Sequence, residues 1–319
     1  MSDRSQPLLH AAYGGPGWRP RVNSITAEFG SIWGQCGQNS EYMPLKQVIL
    51  HRPGSEILTG DDPNEAQMLA PLDLAIAQTQ HDAIAEAYRN NGVTVHDANP
   101  AGKPTPNQMF MADVMFMTHE GVVIARPASE VRAGEERVAA RRLAELGVPI
   151  ARSIGGHGTF EGADAMYISP DRVMIGRGLR TNGPGAAQLS QTLEQMGVSA
   201  VEVDMPVGSM HLMGMMRIVD KDLAIGYPVR LVHRAVDELK QVGYNVHFLP
   251  DVDEALKGYS FNFVTLGPRK ILMAANNPNT QAFYESLGIE CVTVDVSELG
   301  KAAGAVGCLT GIVEREMIV

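Results

Sequence analysis

Leu193-Glu194-Gln195-Met196-Gly197-Val198 is the stretch on which the reading of the fold turns. It closes a helix-spaced apolar run with a glycine and passes into β-rich sequence, Val201-Glu202-Val203-Asp204. Glycine just past a helix end is the usual left-handed cap. The same joint returns at Tyr88-Arg89-Asn90-Asn91-Gly92-Val93, Leu143-Ala144-Glu145-Leu146-Gly147-Val148, Leu239-Lys240-Gln241-Val242-Gly243-Tyr244 and Tyr284-Glu285-Ser286-Leu287-Gly288-Ile289. The five glycines stand 55, 50, 46 and 45 residues apart. The strands predicted after the other four joints are Val93–His96, Val148–Ala151, Val246–Leu249 and Cys291–Val294.

Upstream of the later joints the sequence predicts hairpins. They are Val114–Met117 with Val122–Ala125, Ala165–Ile168 with Arg172–Gly176, Met216–Val219 with Leu223–Gly226, and Phe263–Leu266 with Lys270–Met273. Leu45–Leu50 opens the regular chain as an apolar strand. The chain therefore reads as five units of strand, strand, helix, strand. Periods of this length mark a repeat architecture. With so few repeats, a closed ring is favoured over an open solenoid, because a ring leaves no edge repeat. The expected fold class is α/β, a five-bladed ββαβ propeller with pseudo-fivefold symmetry; the alternative is an ordinary α/β sheet.

The 319 residues are 45% hydrophobic and 19% charged, enough to bury a large core. Residues 1–40 lack periodicity and read as an N-terminal arm, with a single domain over 41–319; the arm could serve a homodimer contact. The net charge of -10 offers no nucleic-acid footprint, since Arg137, Arg141 and Arg142 lie among glutamates on one helix face. Three cysteines make no disulfide framework and fit a reducing, cytoplasmic setting. No signal-like start and no long apolar run point to a membrane. No His or Cys spacing suggests a metal, and no cofactor is expected.

One position recurs before the hairpins. Asp113 precedes the hairpin of the second unit, Glu161 and Asp164 that of the third, His211 that of the fourth and Asn262 that of the fifth. Cys308, in Ala305-Val306-Gly307-Cys308-Leu309-Thr310-Gly311, lies where a ring would close. Taken singly, each has a plain structural reading: turn acids, a core histidine, a small buried thiol. If the units are related by rotation, they converge on the axis, with Asp113, Asp164 and Asn262 expected to bind substrate. Cys308 and His211 then make a nucleophile and acid/base pair. Carboxylates crowded beside them require a cation, and a planar guanidinium or amidinium matches them bidentately. Attack on its central carbon, with His211 protonating the leaving amine, gives a thiouronium-type intermediate, resolved by water or by a second amine.

The motifs Phe160-Glu161-Gly162-Ala163-Asp164, Arg180-Thr181-Asn182, His211 and Gly307-Cys308-Leu309-Thr310 resemble those of the guanidino-modifying pentein superfamily. That group includes dimethylarginine dimethylaminohydrolases, arginine deiminases and amidinotransferases. The resemblance runs over about residues 45–316 in motif order. It implies a five-bladed ββαβ propeller with Cys308 as nucleophile and His211 as general acid/base. It also implies Glu161 holding guanidinium nitrogens and orienting the imidazole, and Asp113 gripping the distal guanidinium. Met43-Pro44-Leu45 resembles an entrance lid of some members, which would set Leu45 against substrate.

Two positions depart from the pattern. Deiminases and amidinotransferases usually carry an acid two residues after the histidine; here it is Met213. The lost carboxylate is a contact of roughly 1.5–3 kcal/mol. An alkylated guanidinium tolerates this apolar neighbour better than free arginine does, and dimethylarginine hydrolases likewise lack that acid. Ala112 stands before Asp113 where arginine is frequent. The expectation is a hydrolase cleaving a C–N bond of a small cationic guanidino or amidino compound. The alternatives are an amidinotransferase and a non-catalytic propeller-shaped binding protein.

Overall fold

All five joint glycines adopt left-handed backbone, with φ of 76° at Gly92, 77° at Gly147, 76° at Gly197, 100° at Gly243 and 76° at Gly288. This is seen in the computed structural model of the protein, which describes residues 10–60 and 62–318. At each joint the residue after the glycine sends its N–H back to a carbonyl in the last helical turn. Val93 bonds Tyr88, Val148 bonds Leu143, Val198 bonds Leu193, Tyr244 bonds Leu239 and Ile289 bonds Tyr284, over 2.9 to 3.1 Å. Both partners of every pair are buried. Each joint is thus a Schellman cap with its apolar contact.

Those caps end the blade helices α1 (Leu74–Asn90), α2 (Glu135–Glu145), α3 (Gly183–Gln195), α4 (His233–Gln241) and α6 (Pro278–Ser286), with α5 (Val252–Lys257) a short extra turn. The strands are β1 (Leu45–Leu50), β2 (Thr94–Asp97), β3 (Met115–Thr118), β4 (Gly121–Ile124), β5 (Ile150–Ser153), β6 (Ala165–Ser169), β7 (Arg172–Arg177) and β8 (Ser199–Asp204). They continue with β9 (Met216–Asp220), β10 (Leu223–Gly226), β11 (Asn245–Phe248), β12 (Val264–Gly267), β13 (Lys270–Ala274), β14 (Glu290–Val294) and β15 (Gly311–Arg315). A last helical turn, α7 (Val306–Leu309), precedes β15.

The strands form five three-stranded sheets, β15-β1-β2, β3-β4-β5, β6-β7-β8, β9-β10-β11 and β12-β13-β14. In each, the first two strands are antiparallel and the last two parallel. The expected hairpins are present. The first blade takes one strand from the C-terminus, which locks the ring shut and removes an open edge. Strands predicted at Val93 and Val148 begin later, because the residue after each glycine belongs to the cap. At Val148, Pro149 also follows directly and has no N–H to give a ladder.

Five apolar clusters follow the blades. In the third, Asn182 caps α3 by accepting from the Gly185 N–H, and Pro184 sits in the first turn. Ala186, Leu189 and Leu193 then face Val173, Ile175 and Val198. Losing a buried leucine such as Leu193 costs roughly 2–5 kcal/mol.

Residues 33–40 of the expected arm lie on the body of the same chain. Gly34 N–H donates to the Gly147 carbonyl, Gly37 N–H to Val313, and Asn39 bonds Ile318 in both directions. The first nine residues of the arm lie outside the described residues. Among the described residues no helix is long and apolar enough to cross a membrane.

Candidate active site

Directly before four of the inner strands the chain makes a single helical turn or a sharp bend, and these turns pack against one another at the ring axis. Asp113 ends the turn Met111–Asp113, Glu161 opens Gly162–Asp164, and His211 opens Leu212–Gly214. Asn262 stands two residues before β12, and Cys308 lies in α7. Rotation of one repeat carries one sequence position after another to the same place, so residues from all five blades meet.

Cys308 is partly exposed, while Cys36 is buried; burial pushes the Cys36 and Cys291 thiols up to about 12. Asn262 holds the Cys308 turn from both sides. Its Nδ2 donates to Cys308 Sγ at 2.9 Å, and its Oδ1 accepts from the Cys308 N–H at 3.2 Å. Asn262 was expected to bind substrate; these two bonds make it a positioning residue for the thiol. Burial and the Asp113 carboxylate push the Cys308 thiol up, while Asn262 and Arg217 oppose that rise.

His211 Nε2 lies 2.6 Å from Glu161 Oε2, and its Nδ1 lies 3.9 Å from Asp113 Oδ1. Burial by itself would lower this imidazole. The carboxylates of Asp113, Asp164 and Glu161 prevail and raise it to about 9. Burial would likewise raise Glu161, but His211, Arg132 and Arg180 hold it well below the usual carboxylate range. The site therefore carries an imidazolium on an ionised glutamate.

Asp164 is corrected from its expected role. It is fully buried, its Oδ2 accepts from Thr181 Oγ1 at 2.6 Å, and its Oδ1 accepts from the Leu212 N–H at 3.0 Å. Both oxygens are spent inside the protein, where they fix the chain beside His211, and burial pushes the carboxyl up to about 7. Leu45 is also corrected. It is buried at the start of β1, opposite Arg315, and does not line the Cys308 cavity. The expected lid around it is tied down, since Arg315 Nη1 donates to the Met43 carbonyl and Glu316 N–H to the Pro44 carbonyl.

Two lobes meet at Cys308. One, of about 300 Å³, is lined by Phe110, Asp113, Arg132 and Arg180; the other, of about 790 Å³, by His211, Met213, Arg217, Tyr259 and Asn262. Met210 and Ala303 border both. Met213 is thus where it was expected, an apolar wall beside the histidine.

Arg132 and Arg230 escaped the reading of the sequence, and Arg180 entered it only within the Arg180-Thr181-Asn182 motif, with no role at the site. Arg132 Nη1 donates to Asp113 Oδ2 at 2.8 Å and Glu161 Oε2 at 3.3 Å, and its other nitrogens bond Glu135. Arg180 Nη1 donates to Glu161 Oε1 at 3.2 Å. Arg230 lines the larger lobe with its guanidinium 5.1 Å above the Tyr227 ring. A signal for them existed: Arg132 follows Asp113 by 19 residues and Arg180 follows Glu161 by 19. Arg230 stands at the same offset from His211. One donor atom each of Asp113, Glu161 and His211 lie within 4.8 Å of one another, a set able to hold a metal ion. Arg132 already places its guanidinium against both carboxylates, so a side chain fills the cation's position.

This fold has known counterparts. The arginine deiminase family model matches residues 100–246. A dimethylarginine dimethylaminohydrolase of Streptomyces coelicolor is 29% identical over 269 residues, covering 84% of this chain and 97% of that protein. The solved dimethylarginine dimethylaminohydrolase of Pseudomonas aeruginosa, complexed with citrulline, superposes with a TM-score of 0.71 at 24% identity over 86% of this chain and all of that one. An amidinotransferase of Microseira wollei from the saxitoxin pathway superposes with a TM-score of 0.72 at 13% identity, over 88% of this chain and 97% of that one. Over most of its length the chain is thus similar to enzymes of the guanidino-modifying pentein superfamily.

Proposed function

We propose that the protein is a cysteine-dependent hydrolase that cleaves a C–N bond of an N-alkylated guanidino compound, as its dimethylarginine dimethylaminohydrolase relatives are named for doing. The observation that carries this is Asp113 Oδ1. It is buried, has no hydrogen-bond partner among the described residues, and belongs to a side chain that lines the lobe ending at Cys308. A buried carboxylate oxygen demands a donor. A guanidinium N–H supplies it and brings the cation's central carbon toward the sulfur.

The chemistry then balances. The Cys308 thiolate forms a C–S bond to the guanidinium carbon. His211 donates a proton to the departing amine as the C–N bond breaks, leaving a thiouronium on Cys308. Water attacks that carbon, His211 takes its proton, and the C–S bond breaks to release a urea-type product. Nδ1 is the ring nitrogen for this transfer, because Nε2 is held by Glu161. Met213 gives alkyl groups on the guanidine nitrogen an apolar wall, and Arg230 offers a cation to a carboxylate at the substrate's far end.

The larger lobe also admits the second reading, an amidinotransferase in which an amine replaces water. The test is a panel of guanidino and amidino compounds assayed for amine release, with Cys308→Ala as the blank, and mass analysis of trapped protein. Acceptor-independent release with an adduct on Cys308 supports hydrolysis. Turnover only with an added amine supports the transferase. No adduct with any compound sinks both.

A further inference from the structure

Arg217, on β9, faces the axis between two cavities. It lines the larger active-site lobe with Cys308, and on its other side a chamber of about 370 Å³ that also holds Glu41 and Arg315. The side chain is 7% exposed, its Nε donates to the Phe261 carbonyl at 3.2 Å, and its guanidinium lies 5.4 Å over the Phe263 ring. A Cβ placed on Gly307 would stand 2.6 Å from Arg217 Nη2 and 2.8 Å from Asn262 Oδ1. The guanidinium is therefore packed against the backbone of the residue before the nucleophile, next to the amide that holds the nucleophile.

No carboxylate lies within ion-pair distance of Arg217 among the described residues, unlike Arg132 and Arg180. A buried cation without a bonded anion is costly and calls for a counter-charge. On the Asp113 side of the site, Asp113, Glu135 and Glu161 answer Arg132, Arg180 and the imidazolium of His211. Behind Cys308, Glu41 lines the chamber of Arg217 and Arg315 without an ion pair to either, and burial pushes its carboxyl up. Among the groups around Arg217 that can turn negative, the Cys308 sulfur leads in favouring its charge, ahead of Glu41 and the buried phenols of Tyr284 and Tyr88. We propose that Arg217 is the fixed cation beside Cys308 that sets the ionisation of the nucleophile, leaving His211 to serve the departing amine.

The other groups facing Cys308 fit this division. Asp113 opposes ionisation of the thiol, Asn262 and Arg217 favour it, and Tyr259 borders it as a neutral phenol raised to about 12 by burial and by the cysteine's own charge. Burial lowers Arg217 to about 10, and the leading opposing influence is the charge on Cys308. His211 has its charge engaged by Glu161 and Asp113. The inference rests on Cys308 being the nucleophile, but its test does not need turnover.

The experiment is the pH dependence of Cys308 alkylation by iodoacetamide, read peptide by peptide so that Cys36 and Cys291 are excluded. Arg217→Met keeps bulk and removes charge; Arg217→Lys keeps charge. The alkylation midpoint of Arg217→Met rises by about one pH unit or more, so that its rate near neutrality falls about tenfold, and Arg217→Lys recovers most of it. His211→Gln leaves the midpoint where it is in the wild type. An unchanged midpoint in Arg217→Met overturns the proposal, and so does a rise of that size in His211→Gln. If Arg217→Met does not fold, the His211→Gln arm still decides, because a shifted midpoint there assigns the thiolate to the imidazolium. Failure of the functional reading looks different, with normal alkylation profiles and no amine release.

Discussion

His211 Nε2 sits 2.6 Å from Glu161 Oε2, although the two are 50 residues apart in the chain and belong to neighbouring blades. The bond joins the imidazole to an anion that Arg132 and Arg180 keep ionised. It also links the third blade to the fourth at the axis.

That pair makes stability depend on pH. The folded imidazole titrates at about 9, above the ordinary histidine value, so its contribution is full below about pH 6.5 and is lost as pH rises through about 9. Thermal denaturation of wild type and His211→Gln across this range should show the gap closing as the medium becomes alkaline. The change amounts to at most about 3 kcal/mol. A gap that widens with pH would contradict the assignment of an imidazolium.

Asn262→Ala removes the donor to Cys308 Sγ and the acceptor for its N–H together. Substrate binding should change little while kcat falls about a hundredfold, on the scale of misplacing a reacting group. Steady-state kinetics with the best guanidine separates the two. A KM effect with unchanged kcat would return Asn262 to the substrate-binding role.

Met213→Asp supplies an acid two residues after His211, where the wild-type wall is apolar. Preference should move toward unsubstituted guanidinium, by about one to two orders of magnitude in the kcat/KM ratio, through a charge-assisted contact. Competition between an N-alkylated and a plain guanidine measures it, and an unaltered ratio removes Met213 from the specificity wall.

Gly197→Ala tests the repeat itself. Nothing lies within 4 Å of the added methyl, so the cost is that of an L-residue at φ 76°. Chemical denaturation should show a loss of about 1 kcal/mol with catalysis retained. A neutral result would mean that the cap is not what fixes the helix end.

Much of this was legible in the sequence. The glycine joints and hairpins located four blades, and the residues before the hairpins located Asp113, Glu161, His211 and Asn262. The strand β15 was not read, because the first blade takes strands from opposite ends of the chain and nothing local marks that pairing. Arg132 and Arg230 were missed, and Arg180 was given no role, because only the shared offset from the axial residue singles each of them out. Asp164 was misplaced because a turn acid gives no sign of which way its side chain faces.

The sequence by itself determined the repeat, its glycine caps and the residue types brought to the axis, since helix ends and strand alternation are local properties of the backbone. Tertiary structure decided which of those residues share a cavity. It turned Asp164 inward, buried Leu45 away from the Cys308 cavity, put Asn262 on the thiol, and set the guanidinium of Arg217 behind Gly307. Direction and charge compensation in a buried site depend on atoms from blades far apart in the chain, and such long-range proximity is fixed only when the ring closes.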